Sequence, residues 1–136
     1  MNKFNDEDLS KQWRFWEKNL EGIATLELPY DGKRSQLVSS KGDRKYLNLQ
    51  NGLIEDFEKK VSKQGATLFM GLLAVFKLLI FRWSGETDIL TGTPFADRRL
   101  KGTENLFGFF VSTLILRTDL SENPTFTELL GRVRKS

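Results

Sequence analysis

The stretch 106–117, LFGFFVSTLILR, places two hydroxyls, Ser112 and Thr113, and a glycine, Gly108, in strongly apolar surroundings. A buried hydroxyl can attack as a nucleophile, hydrogen-bond a bound group, or satisfy nearby backbone. The composition narrows the first use. The 136 residues include no histidine and no cysteine. That removes the commonest general base, the commonest transition-metal ligand, every Ser/His and Cys/His nucleophile pair, all disulfides and thiolate chemistry. A zinc site would need carboxylates alone, and none is expected. Asp88 and Asp97 have no basic catalytic partner evident in the sequence, and they read as turn, helix-exit or salt-bridge residues. Two readings of Ser112 and Thr113 stay open: contact with a bound group, or satisfaction of local backbone. Gly108 reads either as space for a neighbour or as a bulge.

The charges exclude further classes. Twenty-one basic residues stand against 18 acidic ones, a net charge of +3. They are interleaved, as in EDFEKKVSK at 55–63, which reads as a solvated surface and not as a nucleic-acid footprint. Trp13, Phe15 and Trp16 fit the packing face of a helix better than a base-stacking platform. The N-terminus is polar and acidic, unlike a secretion signal. The longest apolar run, 68–80, contains Lys77 and is shorter than the roughly 20 residues that span a bilayer. A cytoplasmic location is expected, with no nucleic-acid or membrane partner.

Periodicity supplies the elements that must position these residues. Residues 6–21 predict a helix stopped by Gly22, followed by a loop containing Pro29 and Asp31-Gly32. Residues 43–49, DRKYLNL, alternate enough to predict a short strand. A second helix is expected over about 52–64, with Leu53, Ile54, Phe57 and Val61 on one side and Gly65 just beyond its end. Thr67 is placed to cap a third helix, about 68–83, apolar nearly all round and therefore expected to be covered on most sides. Gly71 and Ala74 would let a neighbour approach it closely. Residues 89–93 predict a strand, leaving through 92–95, and 96–105 a basic loop. The opening stretch predicts another strand, apolar at both parities, of the kind found at the centre of a covered sheet. Asn123-Pro124 breaks the chain, and Thr125-x-x-Glu128 is a capping-box pattern for a last helix. The class is a mixed α/β layer arrangement. With few helices and strands to cover that central strand, the chain reads as part of a larger sheet.

Three segments, QWRFWEKNLEGIATLELPYD, GATLFMGLLAVFKLLIFRWSGETDILTGTPFADRR and LFGFFVSTLILRTDLSENPTFTELLGRVR, resemble in order the middle of the condensation domain of nonribosomal peptide synthetases. Gly92–Arg98 resembles that family's GTPxAxR segment, and Gly108–Arg117 its GxFVNTxxxR motif, with Ser112 where the family usually has asparagine. The resemblance implies part of a chloramphenicol-acetyltransferase-like lobe, a mixed sheet flanked by helices. It assigns 1–22 to a leading helix, 23–42 to a linker loop and 43–136 to part of the C-terminal lobe. Condensation domains join a donor acyl or peptidyl thioester to an acceptor aminoacyl thioester through an amide bond. Both are delivered on the phosphopantetheine arms of carrier proteins. The implied partners are those carriers and the remainder of a synthetase, with no cofactor bound covalently to this chain.

By the same resemblance, Gly108, Phe110 and Ser112 line the substrate channel, while Gly92, Thr93, Pro94, Arg98, Thr113 and Arg117 are structural positions of the motifs. Arg98 and Arg117 also read as surface charges or structural ion pairs. The family's catalytic HHxxxDG signature cannot be present in a chain without histidine, so no catalytic residue is expected here and the chain alone is expected to be inactive. Two other readings stand beside this one: a non-catalytic module that binds a carrier protein or a synthetase lobe, and a remnant without function. Uncovered apolar surface would make the isolated chain self-associate.

Overall fold

The computed structural model describes residues 6–32, 42–50, 52–96, 107–108 and 110–136. Helix α1 spans Asp6–Leu20, α2 Leu53–Ser62, α3 Leu68–Ser84 and α4 Phe126–Lys135; strand β1 spans Asp88–Ala96 and β2 Val111–Asp119. The expected helices are all present, with ends set by local chemistry. Thr67 caps α3 by accepting a hydrogen bond from the Met70 amide at 3.3 Å. Gly85 closes α3 in the left-handed region, φ 76°, where a side chain is strained. At α4 the capping box is complete: the Thr125 amide donates to Glu128 Oε2 at 2.8 Å, and the Glu128 amide to Thr125 Oγ1 at 3.4 Å. Hydrogen bonding to Thr125 holds the Glu128 carboxyl below its ordinary pKa.

The core gathers at one end of the molecule. Val61 of α2, Ala74 and Ile80 of α3, Ile89 of β1, and Leu129, Leu130 and Val133 of α4 are buried together, with Ala66 and Leu120 from the connections. Close approach depends on Gly71: a Cβ there would lie 2.8 Å from Val61 Cγ1 and 2.9 Å from Phe57 Cε1, so α2 packs against its bare backbone. The expected notch at Gly71 and Ala74 is thus occupied by α2 on the glycine side, and Ala74 is fully buried.

Strands β1 and β2 pair antiparallel from Asp88↔Asp119 to Ala96↔Val111. Three expectations need correction. Residues 42–50 form no strand; Tyr46 and Leu47 are almost fully exposed. A strand is defined by its partner, and none of the described strands lies against this segment. The strand expected over 106–117 begins at Val111, because its ladder ends where β1 ends, at Ala96. Its cover is also one-sided among the described residues, where β1 is its single neighbour.

Helix α3 shows the same one-sided cover. It turns Gly71, Ala74, Lys77 and Ile80 inward, while Phe69, Leu72, Phe76, Leu79 and Trp83 face solvent. Those five follow a three-four spacing, so they form one continuous apolar stripe along the helix. No helix among the described residues is long and apolar enough to cross a membrane.

Candidate functional site

The β1–β2 ladder brings the two motif segments together. Thr93 lies opposite Leu114, Pro94 opposite Thr113, Phe95 opposite Ser112, and Gly92 opposite Ile115. Directly opposed residues share a sheet face. Ser112 therefore shares one face with Thr93, Phe95 and Leu114, and Thr113 shares the other with Gly92, Pro94 and Ile115. Ser112 and Thr113 are both exposed, away from the core, which lies at the far end of the ladder. Pro94 has no amide hydrogen and is accommodated in a strand when its nitrogen is not required by the partner. A Cβ on Gly92 would sit 3.1 Å from the Thr113 methyl, so the glycine lets the motif segments close on each other.

Gly108 and Phe110 lie just before β2. Strand alternation assigns Ser112 and Leu114 to one face but does not extend to these two, because the ladder that enforces it has ended. Gly108 is an exposed bend, and Phe110 is half-buried with its ring edge 3.0 Å from where a Gly108 Cβ would be. Arg98 and Asp97 lie outside the described residues.

At the opposite end of the ladder, Arg117 uses its whole fork. Its Nε donates to Asp88 Oδ1 at 3.0 Å and Oδ2 at 3.1 Å, and Nη2 donates to Oδ2 at 2.7 Å. Its Nη1 donates to the backbone carbonyls of Asn19 at 2.8 Å and Glu21 at 2.9 Å. The Asp88 carboxylate holds the guanidinium pKa above its ordinary value. Asp88 is thus a salt-bridge residue. Nearby, Asp119 accepts from the Ser121 amide and hydroxyl, both at 2.8 Å, which lowers its pKa. Among the described residues no group of histidine, cysteine or carboxylate side chains is arranged to hold a metal ion.

Sequence reasoning missed the role of Lys77, reading it only as a break in an apolar run. It is completely buried. Its Nζ donates to the Leu116 carbonyl at 2.6 Å, Thr118 Oγ1 at 2.8 Å and the Ile89 carbonyl at 3.3 Å. All three donors of the ammonium are used, and the bonds pin α3 to both strands. Burial pushes its pKa down to about 8, against a smaller opposing pull from Asp88. The available signal was the lone lysine itself, at helical spacing from Gly71, Ala74 and Ile80 on the face that turns inward.

Set against solved structures, this arrangement defines a condensation-like α/β fold. The X-domain from teicoplanin biosynthesis superposes with a TM-score of 0.86 at 31% identity, covering 93% of this chain and 28% of that one. The X-domain in its complex with OxyB agrees equally well. A linear gramicidin synthase of Brevibacillus parabrevis is 45% identical over 131 residues, which is 96% of this chain and 2% of the synthase. The family model described as Condensation domain matches residues 2–136, and the chain belongs to that family of nonribosomal peptide synthetase domains. It spans only a small part of the relatives it matches.

Proposed function

We propose that this chain is the lobe-junction segment and the first half of the second lobe of a condensation domain. Its parent forms an amide bond between a donor acyl or peptidyl thioester and an acceptor aminoacyl thioester, each carried on the phosphopantetheine arm of a carrier protein in the cytoplasm. Residues 1–22 lead in as a helix, 23–42 link, and 43–136 belong to the C-terminal lobe. The observation that carries the reading is the pairing of the two motif segments at the uncovered end of the ladder, with Ser112 exposed beside Phe95 and Thr93. An extended pantetheine arm carries amides that a serine hydroxyl can bond, and Gly108 and Phe110 stand immediately before it in the chain. The proton transfer of amide formation needs a base this chain lacks, so the general base belongs to the other lobe.

The test is a graft. Residues 6–136 replace the matching segment of an active condensation domain, and amide formation from loaded donor and acceptor carriers is followed by mass spectrometry. Product from the graft, and none from this chain alone, is expected. A folded graft without product refutes the reading.

A second reading, a non-catalytic module that binds a protein partner, is favoured by the X-domain likeness, because that domain forms a complex with OxyB. It requires that the folded graft retain loaded carriers in a binding titration while forming no amide.

A further inference from the structure

Helix α1 touches the rest of the chain at one end. Its residues from Glu7 to Phe15 are all exposed, whereas Trp16, Asn19 and Leu20 are half-buried. At that inner end the Asn19 and Glu21 carbonyls belong to the last turn and exit of the helix, where backbone carbonyls lack intrahelical partners. The Nη1 hydrogens of Arg117 satisfy both, from a residue 98 and 96 positions away. The cation also sits where the helix dipole is negative. Asp88 takes the other edge of the same planar group through Nε and Nη2.

We propose that Arg117 is a positioning residue: its guanidinium clamps the C-terminal turn of α1 to the β1–β2 sheet and fixes the direction in which the helix projects. Asp88 aims the clamp. The planarity of the guanidinium matters, because carboxylate and carbonyls are held on different edges of one rigid group. A lysine at 117 keeps the charge and can pair with Asp88, but its single nitrogen cannot hold the carboxylate and both carbonyls in this geometry. The clamp stands on these distances alone. Its consequence for lobe geometry, that Arg117 sets the angle between the lobe junction and the strands bearing Ser112 and Thr113, rests on the function proposed above.

The chain has no cysteine, so two introduced ones are unique label sites. Gln12→Cys on α1 and Thr127→Cys on α4 carry spin labels, with labelled chain diluted in unlabelled chain to suppress distances between molecules. The parent gives a narrow distance distribution. Arg117→Lys broadens it and lowers hydrogen-exchange protection at residues 16–20 by about tenfold or more, the scale of losing one or two charge-assisted bonds. Amides 129–133 of α4 are unchanged. An unaltered distribution and unaltered protection in Arg117→Lys overturn the proposal. So does equal loss of protection in α1 and α4, which would make Arg117 a general support of the fold and not a clamp on one helix. Both readouts concern the fold, so a graft that fails to form amides leaves this result standing.

Discussion

The apolar stripe on α3 makes a quantitative prediction for the isolated chain. Phe69 is 55% exposed, Leu72 45%, Phe76 51%, Leu79 44% and Trp83 64%. Aromatic side chains offer roughly 150–250 Å² each and leucines somewhat less, so the stripe presents about 450 Å² of apolar surface. At ~25 cal/mol per Å², covering it is worth about 11 kcal/mol. Two chains packed stripe to stripe would gain about twice that before the cost of association, roughly 4–15 kcal/mol. A dissociation constant near or below micromolar, about −8 kcal/mol, is within reach. We expect the purified chain to self-associate at micromolar concentrations and to bind ANS. Replacing Leu72 and Leu79 by Glu and Lys puts charges in the middle of the stripe, and should weaken association by at least about a hundredfold. Sedimentation velocity across a concentration series reads this directly. A parent chain that stays monomeric, binds no ANS and melts cooperatively would refute the reasoning. It would show that the stripe needs no cover and that the chain is a complete folding unit.

Three further outcomes are expected. Lys77 has a folded-state pKa of about 8 against an ordinary 10.5, so the unfolded chain binds more protons than the folded one between those values. Stability should therefore rise with pH across that window and lie at its lower, constant level below pH 8. The rise is at most about 3 kcal/mol, and nearer 2 once relaxation around the buried charge is allowed for. Urea denaturation at pH 7 to 10.5 should show this in the parent graft and not in Lys77→Met, and equal slopes would count against it. Gly71→Ala drives a methyl into Val61 and Phe57 and should cost about 1–3 kcal/mol in the same assay; an unchanged midpoint would mean that α2 is free to shift. In the graft, Ser112→Phe should abolish amide formation with the thermal midpoint unchanged, and Ser112→Asn should be tolerated. Full activity of the phenylalanine variant would remove Ser112 from the channel.

Local chemistry made much of this fold legible in the sequence. Thr67, Thr125 with Glu128, and the glycines after α2 and α3 act on backbone groups within four residues, so their effect is written beside them. The small inward residues Gly71 and Ala74 were readable because helical periodicity places them on one face. The condensation-domain resemblance was carried by segments whose order along the chain could be read directly. Pairing and ion contacts were not readable in this way. The alternation at 43–49 meets the description of a strand, yet a strand needs a partner, and the sequence of the segment does not contain one. The start of β2 at Val111 was decided by the end of β1, fifteen residues earlier. The acceptors of Lys77 are two strand carbonyls and a threonine hydroxyl, all of which exist as a set only when α3 lies on both strands. Arg117 could be read as a surface charge or an ion pair; that it closes the end of a helix nearly a hundred residues away is a property of the packed chain, because backbone carbonyls carry no sequence signature at all.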